Sequence, residues 1–188
     1  MKTLKLGTRG SALALKQAEM TEAALGKAFP ELEVERVIIK TTGDRRTDVA
    51  LNEVAKAEGI WDKGVFIKEL EVALEAGEID VAVHSLKDLP TVLEDPFQLR
   101  SVLERAPVAD AWIGKIPWSE VKKGSRVGTS SVRRERQAKF LKPGAKVVDL
   151  RGNVPTRIKK AALDADYDGI ILAEAGLKRL GYPTEGMF

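Results

Sequence analysis

At 188 residues the chain has room for one large domain or two small ones, and its 44% hydrophobic content is enough for a proper core. Lysine and arginine total 31 against 28 acidic residues, a formal charge of only +3. That is too even a balance for a general nucleic-acid or membrane-surface binder, although the pI is near 9.0. The chain has no cysteine, which excludes disulfides, thiolate catalysis and thiolate-held metals for these residues. A single histidine, His84, leaves little room for a histidine metal cluster, so no metal is expected.

In chain order, Thr3 to Gly7 is a strand candidate. "SALALKQAEMTEAALGKAF" follows with helical spacing at Leu13, Ala14, Gln17, Ala18, Thr21 and Leu25, and Ser11 is placed to cap it. "LEVERVIIKT" alternates and is rich in β-branched residues, which predicts a strand. "TTGDRRTDVALNEVAKAEGIWDKG" is polar and without period, and reads as a long functional loop or lid. "VFIKELEVALEAG" is an amphipathic helix closed by Gly77, and "IDVAVHS" a near-continuous apolar strand. Pro107 and Pro117 flank "VADAWIG", where the boundary between two lobes is expected: 1–103 as the first lobe, 104–109 as connection and 110–188 as the second. The second lobe then alternates: strand "SRVGTS", helix "VRRERQAKFL", strand "AKVVDLR", helix "PTRIKKAALDA", strand "DGIILA", helix "EAGLKRLG". Strands alternating with helices imply crossovers and mostly parallel sheets.

"LGTRGSALALKQAEM" and "VGTSSVRRERQAKF" both pass from a strand through Gly-Thr into a helix with a basic residue near its start. Two similar α/β lobes with such turns would form a cleft at the carboxyl ends of their sheets, where open α/β sheets bind ligands. In the second lobe arginine recurs after each strand: Arg133 and Arg134, then Arg151 and Arg157, then Arg179. Any one of them alone is a solvated helix charge; their repeated placement favours a shared wall for anions. Helix-start amides beside Gly128, Thr129, Ser130 and Ser131 reinforce it. There is no G-x-x-x-x-G-K-[ST] loop and no G-x-G-x-x-G fingerprint, so carboxylates are the better match than nucleotide phosphates. In the first lobe "VHSLKDLP" places Ser85, Lys87 and Asp88 at a strand exit, and Arg9 and Ser11 lie on another. Asp88 is either half of a surface pair with Lys87 or a fixed carboxylate for a cation or an N–H donor. His84 reads as a strand-end histidine with a structural hydrogen bond, and Ser130 and Ser131 as caps, since no histidine is near to make either a nucleophile.

"GTRGSALAL", "DKGVFIKELEVAL", "AVHSLKDLP", "VGTSSVRR", "LRGNVPTR" and "YDGIILAEAGLKRLG" occur in the order and approximate spacing of the hydroxymethylbilane synthase, or porphobilinogen deaminase, family, which the chain resembles over almost all its length. The resemblance implies two lobes of the type II periplasmic-binding-protein fold plus a smaller third domain. It also implies a transferase that joins four porphobilinogens head to tail into the linear tetrapyrrole hydroxymethylbilane, releasing ammonia each time. Porphobilinogen carries an acetate and a propionate, which gives the arginines a reason. By resemblance Asp88 is the catalytic carboxylate. Arg9, Ser11, Lys63, Lys87, Ser131, Arg133, Arg134, Arg151 and Arg157 fall on carboxylate-binding motif positions, and Ser85, Thr129, Ser130 and Gly152 lie within the same motifs. Arg179 matches a position linked to substrate admission and chain elongation.

The family's dipyrromethane cofactor is attached through a thioether to a cysteine of the third domain, which these residues lack; they are therefore expected to be part of a longer enzyme. Asp62 stands where glycine is usual, and Ala109 where an arginine is usual. The expected partner is porphobilinogen, with neither nucleic acid nor membrane, and the expected state is a monomer. The N-terminus has no apolar signal core and no stretch nears the roughly 20 apolar residues of a span, so a cytoplasmic location is expected. The alternative function is a non-catalytic two-lobed binding domain for a polycarboxylate, which explains the arginines and gives Asp88 no task.

Overall fold

The computed structural model describes residues 3–42 and 66–184. The chain divides into two compact units, Met1–Arg105 and Ala106–Phe188. Among the described residues no helix is long and apolar enough to cross a membrane.

In the first unit β1 (Thr3–Arg9) is the central strand, with β2 (Glu33–Ile39) and β3 (Val81–Ala82) parallel on either side. Its inner residues Leu6 and Thr8 are fully buried, while β2, with one side unpaired in the described sheet, stays largely exposed. Helix α1 (Ala12–Ala28) joins β1 to β2, and Ser11 caps it by accepting from the Ala14 amide at 3.3 Å. Phe29 and Pro30 end it, proline being unable to continue the ladder. Helix α2 (Lys68–Glu75) places Leu70 and Ala73 against Ile79, with Val37, Ile39 and Ala82 closing the cluster. Gly77, at φ +68°, makes the left-handed exit that the sequence predicted.

The strand expected over "IDVAVHS" is shortened to two residues. Its ladder still reaches from the Asp80 amide, bonded to Lys5 O at 2.9 Å, to the Val83 amide, bonded to Gly7 O at 2.9 Å. The Asp80 carboxylate takes the Lys5 amide at 2.8 Å, so a side chain replaces the next backbone partner and ends the strand there.

The second unit has a four-stranded sheet in the order β4-β7-β5-β6: β4 (Asp110–Gly114), β5 (Arg126–Gly128), β6 (Lys146–Val148) and β7 (Gly169–Ala173). β5 runs parallel to β6 and β7, and β4 is antiparallel to β7. β4 is a correction to the sequence reading, in which "VADAWIG" marked only a boundary. Its residues alternate between the two faces of the sheet. Ala111 joins Leu150, Ala161, Tyr167, Ile170, Leu172 and Leu177 on one face, and Trp112 joins Val121, Val127, Ala138 and Ala145 on the other. The first cluster is covered by α4 (Val154–Leu163) and α5 (Glu174–Arg179), the second by α3 (Val132–Leu141). A sheet covered by helices on both faces needs strands apolar on both sides, as "GIILA" is.

The Trp112 indole lies over the Gly114–Gly169 pair, with its Nε1 donating to Ile116 O at 2.8 Å and its ring edge-on to Trp118 at 5.2 Å between centroids. A methyl on Gly169 would stand 2.5 Å from Trp112 Cη2 and 2.7 Å from Gly114 Cα. We expect Gly169→Ala to destabilise this unit by about 1–3 kcal/mol through overpacking. A urea midpoint equal to that of the unsubstituted chain would contradict this account of the glycine pair.

Candidate functional site

The second unit gathers its polar groups where β5 and β6 hand over to α3 and α4. After β5, the Thr129 amide bonds Val148 O at 3.0 Å, and Thr129 Oγ1 accepts from the Ser131 amide at 3.1 Å. Ser130 Oγ donates to Leu150 O and accepts from the Leu150 amide, stitching the ends of the two neighbouring strands together. Ser131 caps α3 by accepting from the Arg134 amide at 3.5 Å. Across from it, Asn153 caps α4, taking the Thr156 amide at 3.0 Å, and Pro155 sits in the first turn, where an amide is dispensable. Gly152 precedes this cap at φ +115°, a conformation that L side chains rarely adopt.

Both helix starts carry arginines. Arg134 is buried, its side chain 10% exposed, and forks onto Asp110 Oδ1 through Nε at 2.9 Å and Nη2 at 2.8 Å. Arg133, 57% exposed, reaches Asp110 Oδ2 at 2.8 Å and Gln137 at 2.7 Å. Burial alone would raise the Asp110 carboxyl; the hydrogen bonds and charges of Arg134 and then Arg133 outweigh it and leave the group below the ordinary carboxylate value. Arg157, in the first turn of α4, donates from Nε to Gly152 O at 2.6 Å. Burial first, then the charges of Arg151 and Arg134, hold Arg157 below its usual value, with Asp149 opposing. Arg151 and Arg134 are therefore close enough to Arg157 to repel it, beside two capped helix starts. Such a set is chemically suited to anions, because an incoming carboxylate would relieve the repulsion and take up directed N–H donors. Arg179 lies in the last turn of α5, with its Nε buried and without a hydrogen-bond partner among the described residues.

In the first unit Asp88 closes a single 3₁₀ turn, Leu86–Asp88, its amide bonded to Ser85 O at 2.8 Å. Ser85 Oγ donates to Gln17 Oε1 at 3.0 Å and so ties this turn to α1. Lys87 is exposed. The Arg9 guanidinium lies 4.1 Å from the centroid of Phe66, a contact that "VFIKELEVALEAG" did not signal. The structural hydrogen bond expected of His84 is absent among the described residues. Burial, helped by the charge of Arg9, instead pushes its pKa down to about 4. Lys63, Asp62 and nearly all of the stretch read as a lid lie outside the described residues.

Sequence reasoning missed Asp110. Its signal was the alternation of "DAWIG", which puts the acid two residues before Trp112 and therefore on the face that α3 covers.

A family model described as porphobilinogen deaminase, dipyromethane cofactor binding domain, matches residues 4–187. The chain belongs to the porphobilinogen deaminase family. Relatives that carry this name include those of Syntrophomonas wolfei, 48% identical over 96% of this chain and 58% of that one, and of Xanthomonas oryzae, 47% identical over 96% and 58%. The relative of Geotalea uraniireducens is 44% identical over 97% of this chain and 55% of its own. The chain thus spans little more than half the length of these deaminases. Among solved structures the methionine-binding protein MetQ aligns at TM-score 0.48 and 15% identity, over 98% of this chain and 76% of that one.

The displaced pKa of His84 has a consequence for stability. An unfolded histidine takes up its proton near 6.5 and the folded one only near 4, so the unfolded state binds more protons between these values. Stability is therefore expected to fall on acidification through this window, by up to about 3 kcal/mol. Urea midpoints at pH 7 and pH 4.5 should differ by less in His84→Gln than in the unsubstituted chain; an equal loss in both would assign it to other groups.

Proposed function

We propose that these residues bind a polycarboxylate pyrrole, with Arg134, Arg151 and Arg157 of the second unit as the carboxylate donors. The observation that carries this reading is the gathering of guanidiniums beside the capped starts of α3 and α4, where burial and then the charges of Arg151 and Arg134 act against Arg157 and an incoming carboxylate would relieve them. Arg133, Ser131 and Gly152 complete the donor set, and Arg9, Ser11, Ser85 and Lys87 serve the same ligand class in the first unit. Three guanidiniums suit the acetate and propionate groups of a dipyrromethane, which when bound supplies the primer to which further pyrroles are joined. Its thioether attachment does not fit these 188 residues, which contain no cysteine, so they hold such a group by noncovalent contacts alone.

The second reading concerns the whole protein: release of ammonia from porphobilinogen and head-to-tail joining of four units. The placement of Asp88 favours it. Loss of ammonia from the protonated aminomethyl group leaves an azafulvenium whose positive charge spreads to the pyrrole N–H, and a carboxylate accepting that N–H stabilises the cation as it forms. The next pyrrole then attacks the methylene carbon and gives up its own ring proton. Asp88 sits on a turn pinned at Ser85 and through Gln17 to α1, the rigid support that such a task requires. The soluble substrate and a cytoplasmic setting belong to the same proposal.

Titration calorimetry with porphobilinogen and with butane-1,2,3,4-tetracarboxylate tests the binding reading. Tighter binding of the tetracarboxylate, weakened by added salt, is expected; no heat at millimolar ligand sinks it. For the catalytic reading, ammonia release is followed with a free dipyrromethane primer present. Asp88→Asn should lower it by about 10³-fold while leaving tetracarboxylate binding in place. Equal release from both proteins removes Asp88 from the chemistry.

A further inference from the structure

We infer that Asp110 is a positioning residue of the anion site: its carboxylate holds the Arg134 fork in the orientation that ligand carboxylates meet. The inference rests on the binding reading above and deepens it.

A negative charge beside an anion site is at first sight a defect, since it cancels one of the positive charges there. The geometry argues otherwise. Asp110 opens β4, opposite Ala173 of β7, and the preceding carbonyl, Ala109 O, accepts the Glu174 amide at 3.0 Å. The backbone that carries the carboxylate is thus held by pairing with the end of β7 and by the first amide of α5. Alternation along β4 turns Asp110 and Trp112 to the same face, the one on which Ala138 anchors α3. Arg134 lies one helical turn before Ala138, also buried, so its guanidinium comes over the start of β4 and meets Asp110 through Nε and Nη2. Two donors on one carboxylate oxygen fix the plane of the guanidinium, and Nη1 makes no hydrogen bond to Asp110. Arg133 takes the other oxygen from the exposed side. Without Asp110 a buried arginine would face Arg157 with no counter-charge, and its long side chain would move away from Arg157 toward water.

The two views give opposite signs for one experiment. If Asp110 only neutralises charge, Asp110→Asn adds one positive charge and tightens anion binding. If it positions Arg134, the same change weakens binding by about tenfold despite the more favourable charge. Butane-1,2,3,4-tetracarboxylate is the probe, titrated into the 188-residue chain and its Asp110→Asn and Asp110→Glu variants at ~0.1 M salt. Weaker binding in Asp110→Asn with partial recovery in Asp110→Glu supports the inference; unchanged or tighter binding in Asp110→Asn overturns it. Should Asp110→Asn fail to fold, the Arg134 Nε–H resonance of the unsubstituted chain decides the matter. Slow solvent exchange of that proton supports a held fork, and exchange as fast as that of the exposed Arg136 overturns it. If the unsubstituted chain binds no tetracarboxylate, the binding reading fails by itself, and the Arg134 exchange rate still decides whether Asp110 holds the fork.

Discussion

Parallel pairing of β5 and β6 is the constraint on which the second unit depends. Each parallel strand must be followed by a crossover, and here each crossover is a helix that begins where its strand ends. The starts of α3 and α4 therefore fall at the same edge of the sheet. Their unpaired amides, the serine and asparagine that cap them, and the arginines of their first turns are all brought to that edge by one topological requirement. Ser130 shows how closely the two turns are coupled, because its hydroxyl serves both the carbonyl and the amide of Leu150 at the end of the neighbouring strand.

Electrostatics then decides what this edge is suited to. Guanidiniums in water repel one another weakly, whereas those buried between helix starts repel strongly because little solvent screens them. Arg157 carries this penalty most plainly. Asp110 offsets part of it at Arg134, from the β4 side of that arginine, and Asp149 opposes part of it at Arg157. The balance is one of position rather than of net charge, which is why a chain with a formal charge of only +3 can gather several guanidiniums at one sheet edge.

The first unit solves a different problem. Gly7 on the central strand leaves room for the Ile79 side chain, and β3 is held by a few backbone bonds and by the Asp80 carboxylate. Such a short strand delivers the chain quickly into the turn that bears Asp88. Around it, Arg9 stacks on Phe66, and burial, helped by the Arg9 charge, keeps His84 neutral through ordinary pH.

Much of this was legible in the sequence. Ser11 before an apolar-periodic stretch, Gly77 after another, and "VRRERQAKFL" between two β-rich runs all signal elements through short-range chemistry, and α3 has the bounds that its sequence suggested. The arginines of "VGTSSVRR" and "LRGNVPTR" could be assigned to one strand edge because strand-helix alternation implies parallel pairing. Sequence could not separate their tasks. Arg133 and Arg134 are adjacent in the chain, but burial against β4 makes one a fixed, desolvated fork and leaves the other half in water. Nor could it find β4 as a strand: its pairing with β7 is antiparallel and joins residues some sixty positions apart, Asp110 with Ala173. Local pattern thus determined the helices, their caps and the residue types at their starts, since those depend on neighbours within a turn or two. Only the tertiary structure decided which charges meet, because that depends on which distant strand lies alongside.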